Sequence, residues 1–394
     1  MKFQANISDF QKALVKVLPA MPRKSTLPIL EHFMFTLNGN DLQIVATDQE
    51  LIISTNLQVQ GEEDGSILIP GKRITDIFRA LADNGTFRFV SDPDNFEVIV
   101  LTLLGNYKMK GIDSDEYLDL PVLFNSEKPP IQSFIDSSIN DPSSYRILLN
   151  SESLNKLAGK TYYAVSEDEF RPAMTGVLFQ FRETFVNAVA TDSYRLVKSI
   201  YKIEESQYPN ELDVILPART TDILRKINEN VAMSFINTNK KITHIRFDTV
   251  DTIYISRIID EQFPAYEAVI PKSCKYNAKL NKANTLSAIR RVAIFTSDNT
   301  NLVKFSFEQN KLTISGRDDD RGSSATEELV CEFNEESIEI GFNYKFLDQM
   351  INSIDSDGDQ LNFYLSFTEP NRAVLIKPDK EEEDLVMLIM PIRP

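Results

Sequence analysis

Two acidic runs, Glu167-Asp168-Glu169 and Asp318-Asp319-Asp320, are the densest groups that could hold a divalent cation or share a proton in acid–base hydrolysis. Adjacent carboxylates in a polar stretch are more often a solvated loop, because each charged group is stable in water. Other chemistry-bearing residues are scarce. Cys274 and Cys331 allow one disulfide, but two thiols in a reducing compartment fit the pattern better. His32 and His244, the only histidines, supply zinc or a histidine-based triad poorly. The chain lacks GxxxxGK, HExxH, DxDxDG and GxSxG motifs, and no local nucleophile–histidine pairing is expected. The expectation is no catalytic residue, no metal site and no cofactor, although distant carboxylates can still meet in a fold.

The elements that would carry any site are marked by repetition. IPGKRITDIFRALA (69–82) returns as LPARTTDILRKI (216–227), opening at an offset of 147 and continuing at 146 after one residue of slack. VATD at Val45 to Asp48 returns at Val189 to Asp192, an offset of 144. Motifs repeated in order at this spacing argue for a duplicated domain. The alternation of apolar residues reads as strand, helix, several strands, helix, several strands in residues 1–127, and again in 128–270. A Pro-rich join, Leu120 to Pro130, separates the two. The order recurs in 271–394, where ISGRD (314–318) replaces the VATD letters. Ser8 is expected to cap the first helix with Gln11 as its reciprocal partner. The fold class is therefore α+β: three topologically similar domains, each with two helices packed on antiparallel sheet.

Length and composition agree with two or three domains, since 394 residues exceed one ordinary core and 42% hydrophobic content suffices to build several. No run of 18 apolar residues predicts a membrane span, and MKFQANISDFQKAL has no signal-peptide core, so a cytoplasmic protein without membrane contact is expected.

The formal charge of −16 argues against a generally basic nucleic-acid binder. Its distribution is uneven, however. The six predicted helices, 8–18, 71–82, 152–163, 218–228, 281–292 and 343–353, together carry +9, leaving −25 for the remainder. Ordinary solvated helix faces would explain this, and so would equivalent helices lining one surface that faces a polyanion. Twelve helices from two chains, spaced about 10 Å apart, would form a ring about 38 Å across with an opening of about 28 Å, wide enough for a duplex. Six would close on only about 9 Å. The candidate phosphate-facing residues are Lys12, Lys16, Lys24, Lys72, Arg73, Arg79, Lys156, Lys160, Arg219, Arg225, Lys226, Lys282, Arg290, Arg291 and Lys345. No base-reading motif accompanies them, so contact would be sequence-independent and permit sliding.

The start MKF, TLPIL (26–30), ATD (46–48), IPGKRITDIFRAL, VATD followed by YRL (194–196), LPAR (216–219), Phe263-Pro264, EIGFN (339–343) and IMPIR (389–393) closely resemble the bacterial DNA polymerase III beta subunit family, the replication sliding clamps. The resemblance spans essentially the whole chain. It implies a head-to-tail homodimeric ring, each chain forming half, that encircles double-stranded DNA as a non-catalytic processivity factor. It also implies a pocket that binds short peptide motifs of the replicative polymerase, clamp loader, translesion polymerases and repair proteins. Aligned with the family, that pocket comprises Met174, Thr191, Ser193, Arg195, Leu196, Pro264, Ala268, Val269, Leu388, Met390, Pro391, Ile392 and Arg393. Ser193 stands where glycine is familiar and Ala268 where arginine is, implying a smaller and less polar site. For the ring seam the resemblance points to Tyr107 and Met109 on one side and to Ile294 and Phe295 on the other.

Independently of the family, the alternation of Val386, Leu388, Met390 and Ile392 suits either a core strand or a peptide groove, and Met174 and Met390 suit adaptable binding or core filling. An acidic protein-binding scaffold that never touches DNA is the remaining non-enzymatic alternative.

Overall fold

The computed structural model describes residues 1–22, 24–82, 85–118, 146–202, 211–238, 241–355, 361–379 and 384–393. The Pro-rich join and the expected boundary at 127/128 lie outside these residues. Two compact units are formed: Met1–Ser151 with Ile227–Ile258, and Glu152–Lys226 with Ile259–Pro394.

All strand pairing within the sheets is antiparallel. In the first unit a five-stranded sheet runs Gln60–Glu63, Lys2–Asn6, Thr86–Ser91, Glu97–Leu101, Asn106–Lys110. Beside it an eight-stranded sheet runs Arg146–Leu149, Val231–Thr238, Lys241–Asp248, Thr252–Arg257, Leu51–Gln58, Asp41–Thr47, His32–Asn38, Gly65–Pro70. The second unit holds another eight-stranded sheet: Leu212–Pro217, Gly176–Phe181, Phe185–Thr191, Arg195–Lys202, Leu385–Ile389, Val374–Pro378, Asn362–Phe367, Tyr276–Asn281. Its four-stranded sheet runs Ser323–Val330, Lys311–Asp318, Leu302–Glu308, Ile338–Asn343.

Six α-helices accompany the sheets among the described residues: α1 (Ile7–Val17), α2 (Gly71–Ala80), α3 (Ser151–Leu154), α4 (Ala218–Leu224), α5 (Lys282–Ala293) and α6 (Tyr344–Asn352). Helix α1 buries Phe10, Ala13, Leu14 and Val17, the spacing of one helical face, and Phe10 meets Phe78 of α2 with ring centroids 4.5 Å apart. The cap of α1 differs from expectation. Asn6, not Ser8, accepts the first-turn N–H, from Ser8 at 2.9 Å, and the Gln11 amide instead donates to the carbonyls of Phe78 and Leu81 at 2.5 and 3.3 Å. Asn281 and Asn343 cap α5 and α6 in the same manner, accepting from Asn284 and Lys345.

The helix expected over 152–163 is present but not uniform: α3 runs on through Asn155–Gly159 and further helical residues to a 3₁₀ turn at Tyr162–Ala164. The Ser199 hydroxyl donates to the Lys156 carbonyl at 2.7 Å, taking that acceptor from the helical ladder, and Asn155–Gly159 widens into a π-turn.

The repeated motifs build repeated geometry. Thr47 and Thr191 each accept, at 3.0 and 3.2 Å, from the N–H two residues on, Gln49 and Ser193, which both adopt left-handed backbone (φ 80° and 75°). Asp48 then accepts from the N–H groups of Glu50 and Leu51, and Asp192 from those of Tyr194 and Arg195. Thr75 and Thr221 each donate to a carbonyl four residues back, Gly71 and Pro217, which accounts for their offset of 146. In the third copy, Lys311–Asp318 runs straight through ISGRD, and Asp318 instead accepts from the Arg321 N–H.

Candidate peptide site and phosphate-facing helices

The turn at Val189 to Arg195 leads into Arg195–Lys202, whose neighbour is Leu385–Ile389, with Arg195 opposite Ile389 and Leu196 opposite Leu388. Beyond that ladder, the Met390 N–H donates to the Tyr194 carbonyl at 2.7 Å and the Ile392 N–H to Gly341 at 2.8 Å. One face of the sheet carries a buried apolar cluster of Leu178, Val189, Leu196, Ile215, Tyr266, Leu375 and Leu388. Phe263 and Ile270, which bracket Pro264, Ala268 and Val269, pack against it. Of the two readings of the tail, the core strand is what Leu385–Ile389 forms; past its end Met390 and Ile392 are 37% and 36% exposed, and Val269 is 54% exposed.

The aligned pocket residues fall into three groups. Leu196 and Leu388 form the apolar floor, and Met174, also buried, lies 3.7 Å through its sulfur from the Ser193 hydroxyl. Val269, Met390 and Ile392 remain exposed, as do Pro264, Ala268, Ser193 and Arg393, and Pro391 is half-buried. Thr191 and Arg195 are spent on the framework. The Thr191 hydroxyl donates to the Arg195 carbonyl at 2.7 Å. Arg195 alternates with Leu196 and so points to the opposite face, where it donates to Asp192 at 3.0 Å, to the Tyr163 carbonyl at 2.6 Å and to Gln349, beneath the Phe346 ring at 4.4 Å. Burial pulls the Arg195 guanidinium below its ordinary pKa, against the opposing pull of Asp192, while burial pushes the neighbouring Tyr163 phenol up to about 12. Sequence alignment missed Tyr194, 63% exposed and stacked on Phe346 at 6.3 Å, and Tyr266 in the apolar cluster. Their place in YRL and beside Phe263-Pro264 was the available signal.

The same junction exists in the first unit. Leu51–Gln58 follows its own VATD turn and pairs with Thr252–Arg257, Leu51 opposite Ser256, and the Arg257 N–H donates to the Glu50 carbonyl at 2.8 Å. Position by position, Glu50 answers Tyr194 and Arg257 answers Met390. Isolated bridges Leu68↔Ile112, Ile215↔Ile259 and Gly341↔Ile392 mark the same point in all three copies.

Among the candidate phosphate ligands, Lys12, Lys16, Arg79, Lys156, Arg225, Lys226, Arg290 and Arg291 pair with acids of their own unit, including Arg290 with Asp348 at 2.6 Å and Arg291 with Glu327 at 2.6 Å. Exposed pairs are worth roughly 0–1 kcal/mol and exchange readily for another anion. Lys160 and Lys282 converge on the C-terminus of α6, donating to the carbonyls of Ser353 and of Asn352 and Ile354. Lys156, Lys160 and Arg225 share a cleft of about 670 Å³ with Tyr162, Asn352 and Asp355. Lys24, Lys72, Arg73, Arg219 and Lys345 are exposed, and Lys72 and Arg73 make no ion pair among the described residues. Helices α2, α4, α5 and α6 have no acid in the first turn, yet begin with Lys72-Arg73, Arg219, Lys282 and Lys345. The helix dipole opposes cations at that end, so the placement gains nothing for the isolated helix, whereas side chain and dipole both attract an external phosphate.

At the expected seam, Ile294 is 74% and Phe295 39% exposed, Tyr107 is half-buried, and Met109, at 5%, points into its own core.

Among the described residues no helix is long and apolar enough to cross a membrane. Comparison with known proteins matches the chain to the DNA polymerase III beta subunit family in three consecutive stretches: the N-terminal domain over residues 1–121, the central domain over 148–265 and the C-terminal domain over 267–393. The beta sliding clamp of Staphylococcus epidermidis is 24% identical, covering 100% of this chain and 99% of its own, and that of Rickettsia felis is 27% identical, covering 94% of each. The solved DnaN sliding clamp from Bartonella birtlesii, bound to griselimycin, superposes with a TM-score of 0.86 at 23% identity over 100% of both chains, and the Bacillus subtilis clamp at 0.83 and 23% over 100% and 99%. Three tandem stretches of one family, in order and covering nearly every residue, leave one conclusion: the chain belongs to the family of bacterial DNA polymerase III beta subunits, the beta sliding clamps.

Proposed function

We propose that two copies of this chain close head to tail around duplex DNA, with α1 to α6 of each turned toward the phosphates, and that peptides of client proteins dock at the junction of Arg195–Lys202 with Leu385–Ile389. Membership of the family makes the chain a non-catalytic processivity clamp, a dimer that encircles DNA and tethers the polymerase to it. The finer assignments are ours: domain boundaries at 127/128 and 270/271, a cytoplasmic site of action, and recognition of the clamp loader, translesion polymerases and repair proteins through one short motif.

The observation that carries the seam is an unfinished repeat. In the first copy the strand after the VATD turn pairs with the last strand of the second copy, and in the second copy it pairs with the last strand of the third. The third copy's equivalent, Ser323–Val330, lies at a sheet edge, and so does the first copy's last strand, Asn106–Lys110. Each edge leaves a row of backbone N–H and C=O groups to be paired by a second molecule. Their charges are opposite in sign, Lys108 and Lys110 against Glu327 and Glu328, although Lys108, Glu327 and Glu328 also hold Glu97, Arg291 and Lys311 within the chain. A head-to-tail contact of this kind closes after two.

The affinity for DNA is then mainly topological. Clamps loaded on nicked circular DNA should be lost promptly once the circle is linearised. Retention unchanged by linearisation overturns the encircling reading and favours an ordinary surface contact.

A further inference from the structure

We infer that the peptide groove continues past Tyr266 into a second, polar compartment that receives an acidic residue flanking the apolar anchors. The inference rests on the peptide site proposed above.

A cleft of about 450 Å³ opens on the sheet face that carries the apolar cluster, lined by Phe185, Asn187, Lys198, Ile200, Lys202 and Asp384 among others. Strand alternation makes the two sites continuous. Leu196, Lys198, Ile200 and Lys202 share one face of Arg195–Lys202, at intervals of about 6.7 Å, so the first lysine is one step beyond the apolar floor. Tyr266 links the two. Its ring lies in the apolar cluster, its hydroxyl donates to Gln180 at 2.7 Å, and the Lys198 ammonium sits 5.5 Å over the ring. An extended peptide crossing Tyr266 needs about two to four further residues to reach both lysines.

Two observations indicate what the compartment accepts. Asn187, a lining residue of the cleft, is 5% exposed; its amide N–H points to Gln180 at 3.5 Å, while its buried Oδ1 has no hydrogen-bond donor among the described residues. A buried acceptor without a partner is unusual in a folded protein, and a peptide N–H would supply the missing donor. The charge is also unbalanced. Asp384 faces Lys202 at 3.4 Å but is already held by Lys156 at 3.0 Å, and among the described residues the acid paired with Lys198 is Glu267, 3.8 Å away with its carboxylate 77% exposed. Among the described residues Lys198 and Lys202 face one oxygen of Asp384 and the exposed Glu267, both at 3.4 Å or more, so an incoming Asp or Glu adds a closer carboxylate to the pair.

The test uses the full chain and labelled peptides with leucine anchors at alternate positions, flanked by Glu-Glu or Gln-Gln on the N-terminal or the C-terminal side. One Glu-flanked peptide should bind about fivefold to tenfold tighter than its Gln-flanked twin in low salt, with the gap closing near 0.5 M salt. Lys198→Gln with Lys202→Gln should abolish the gap and leave the Gln-flanked peptide unchanged. Lys202→Gln alone, at a 68% exposed side chain, should narrow it without any effect on folding. Equal affinities of Glu and Gln peptides in both placements overturn this compartment while leaving the apolar pocket standing. Failure of all four peptides to bind overturns the pocket and the compartment together.

Discussion

The two strand junctions, one in each unit, share a backbone and differ in what they offer a ligand. Each has a VATD turn followed by a left-handed residue, a following strand paired to the last strand of the next copy, and an N–H returning to the turn from the end of that strand. At the mouth of the first junction the equivalent positions hold Glu50 and Arg257, an exposed ion pair at 3.2 Å. At the mouth of the second they hold Tyr194 and Met390, both exposed and neither charged. A solvated ion pair keeps water in place, whereas an aromatic ring and a thioether release it on contact with an apolar anchor. Duplication therefore produced two junctions of one backbone shape, and in the function we propose these two side-chain pairs make the second the adhesive one.

The comparison can be broken most severely at Arg195, which replaces the apolar Leu51 of the first copy. Arg195→Ala should destabilise the chain by about 3–5 kcal/mol in denaturant titrations, because it strands Asp192 and the Tyr163 carbonyl in a buried place. Arg195→Leu should cost less by filling the space. Exchanging the mouths comes next. Tyr194→Glu with Met390→Arg should weaken a client peptide about 30-fold, or about 2 kcal/mol, in fluorescence polarisation while leaving the dimer mass unchanged. An unaltered affinity would remove the role assigned to the mouth. The unfilled third junction is tested by Lys108→Glu with Lys110→Glu, which should raise the dimer dissociation constant about tenfold in sedimentation and leave peptide affinity alone. The smallest effect probes the backbone that the copies share. Gln49→Gly and Ser193→Gly should each stabilise the chain by about 0.5–1 kcal/mol, since glycine holds a positive φ without steric cost.

Much of this was legible from residue types alone. The VATD letters predicted equivalence because Thr and Asp both hydrogen-bond local backbone, and the structure repeats those bonds at Thr47 and Asp48 and at Thr191 and Asp192. Helix ends were less legible. Asn6 took the cap from Ser8, and the helix over 151–164 widens into a π-turn at Asn155–Gly159, where Ser199, 43 residues distant, bonds the Lys156 carbonyl. The aligned pocket mixed two faces of one sheet, because alignment preserves order and not orientation: Leu196 faces the apolar cluster while adjacent Arg195 faces Tyr163 and Phe346.

The sequence by itself determined the threefold α+β repeat, the family and the concentration of positive charge on helices, since periodicity, turn chemistry and charge are local properties of the chain. Only tertiary structure decided which cations are already committed. Lys160 and Lys282 cap α6, Arg290 and Arg291 hold Asp348 and Glu327, and Lys72 and Arg73 have no such partner among the described residues. Those partners lie from 36 to almost 200 residues away along the chain, and only folding fixes the distances that determine whether a charge is spent inside the molecule or offered to another.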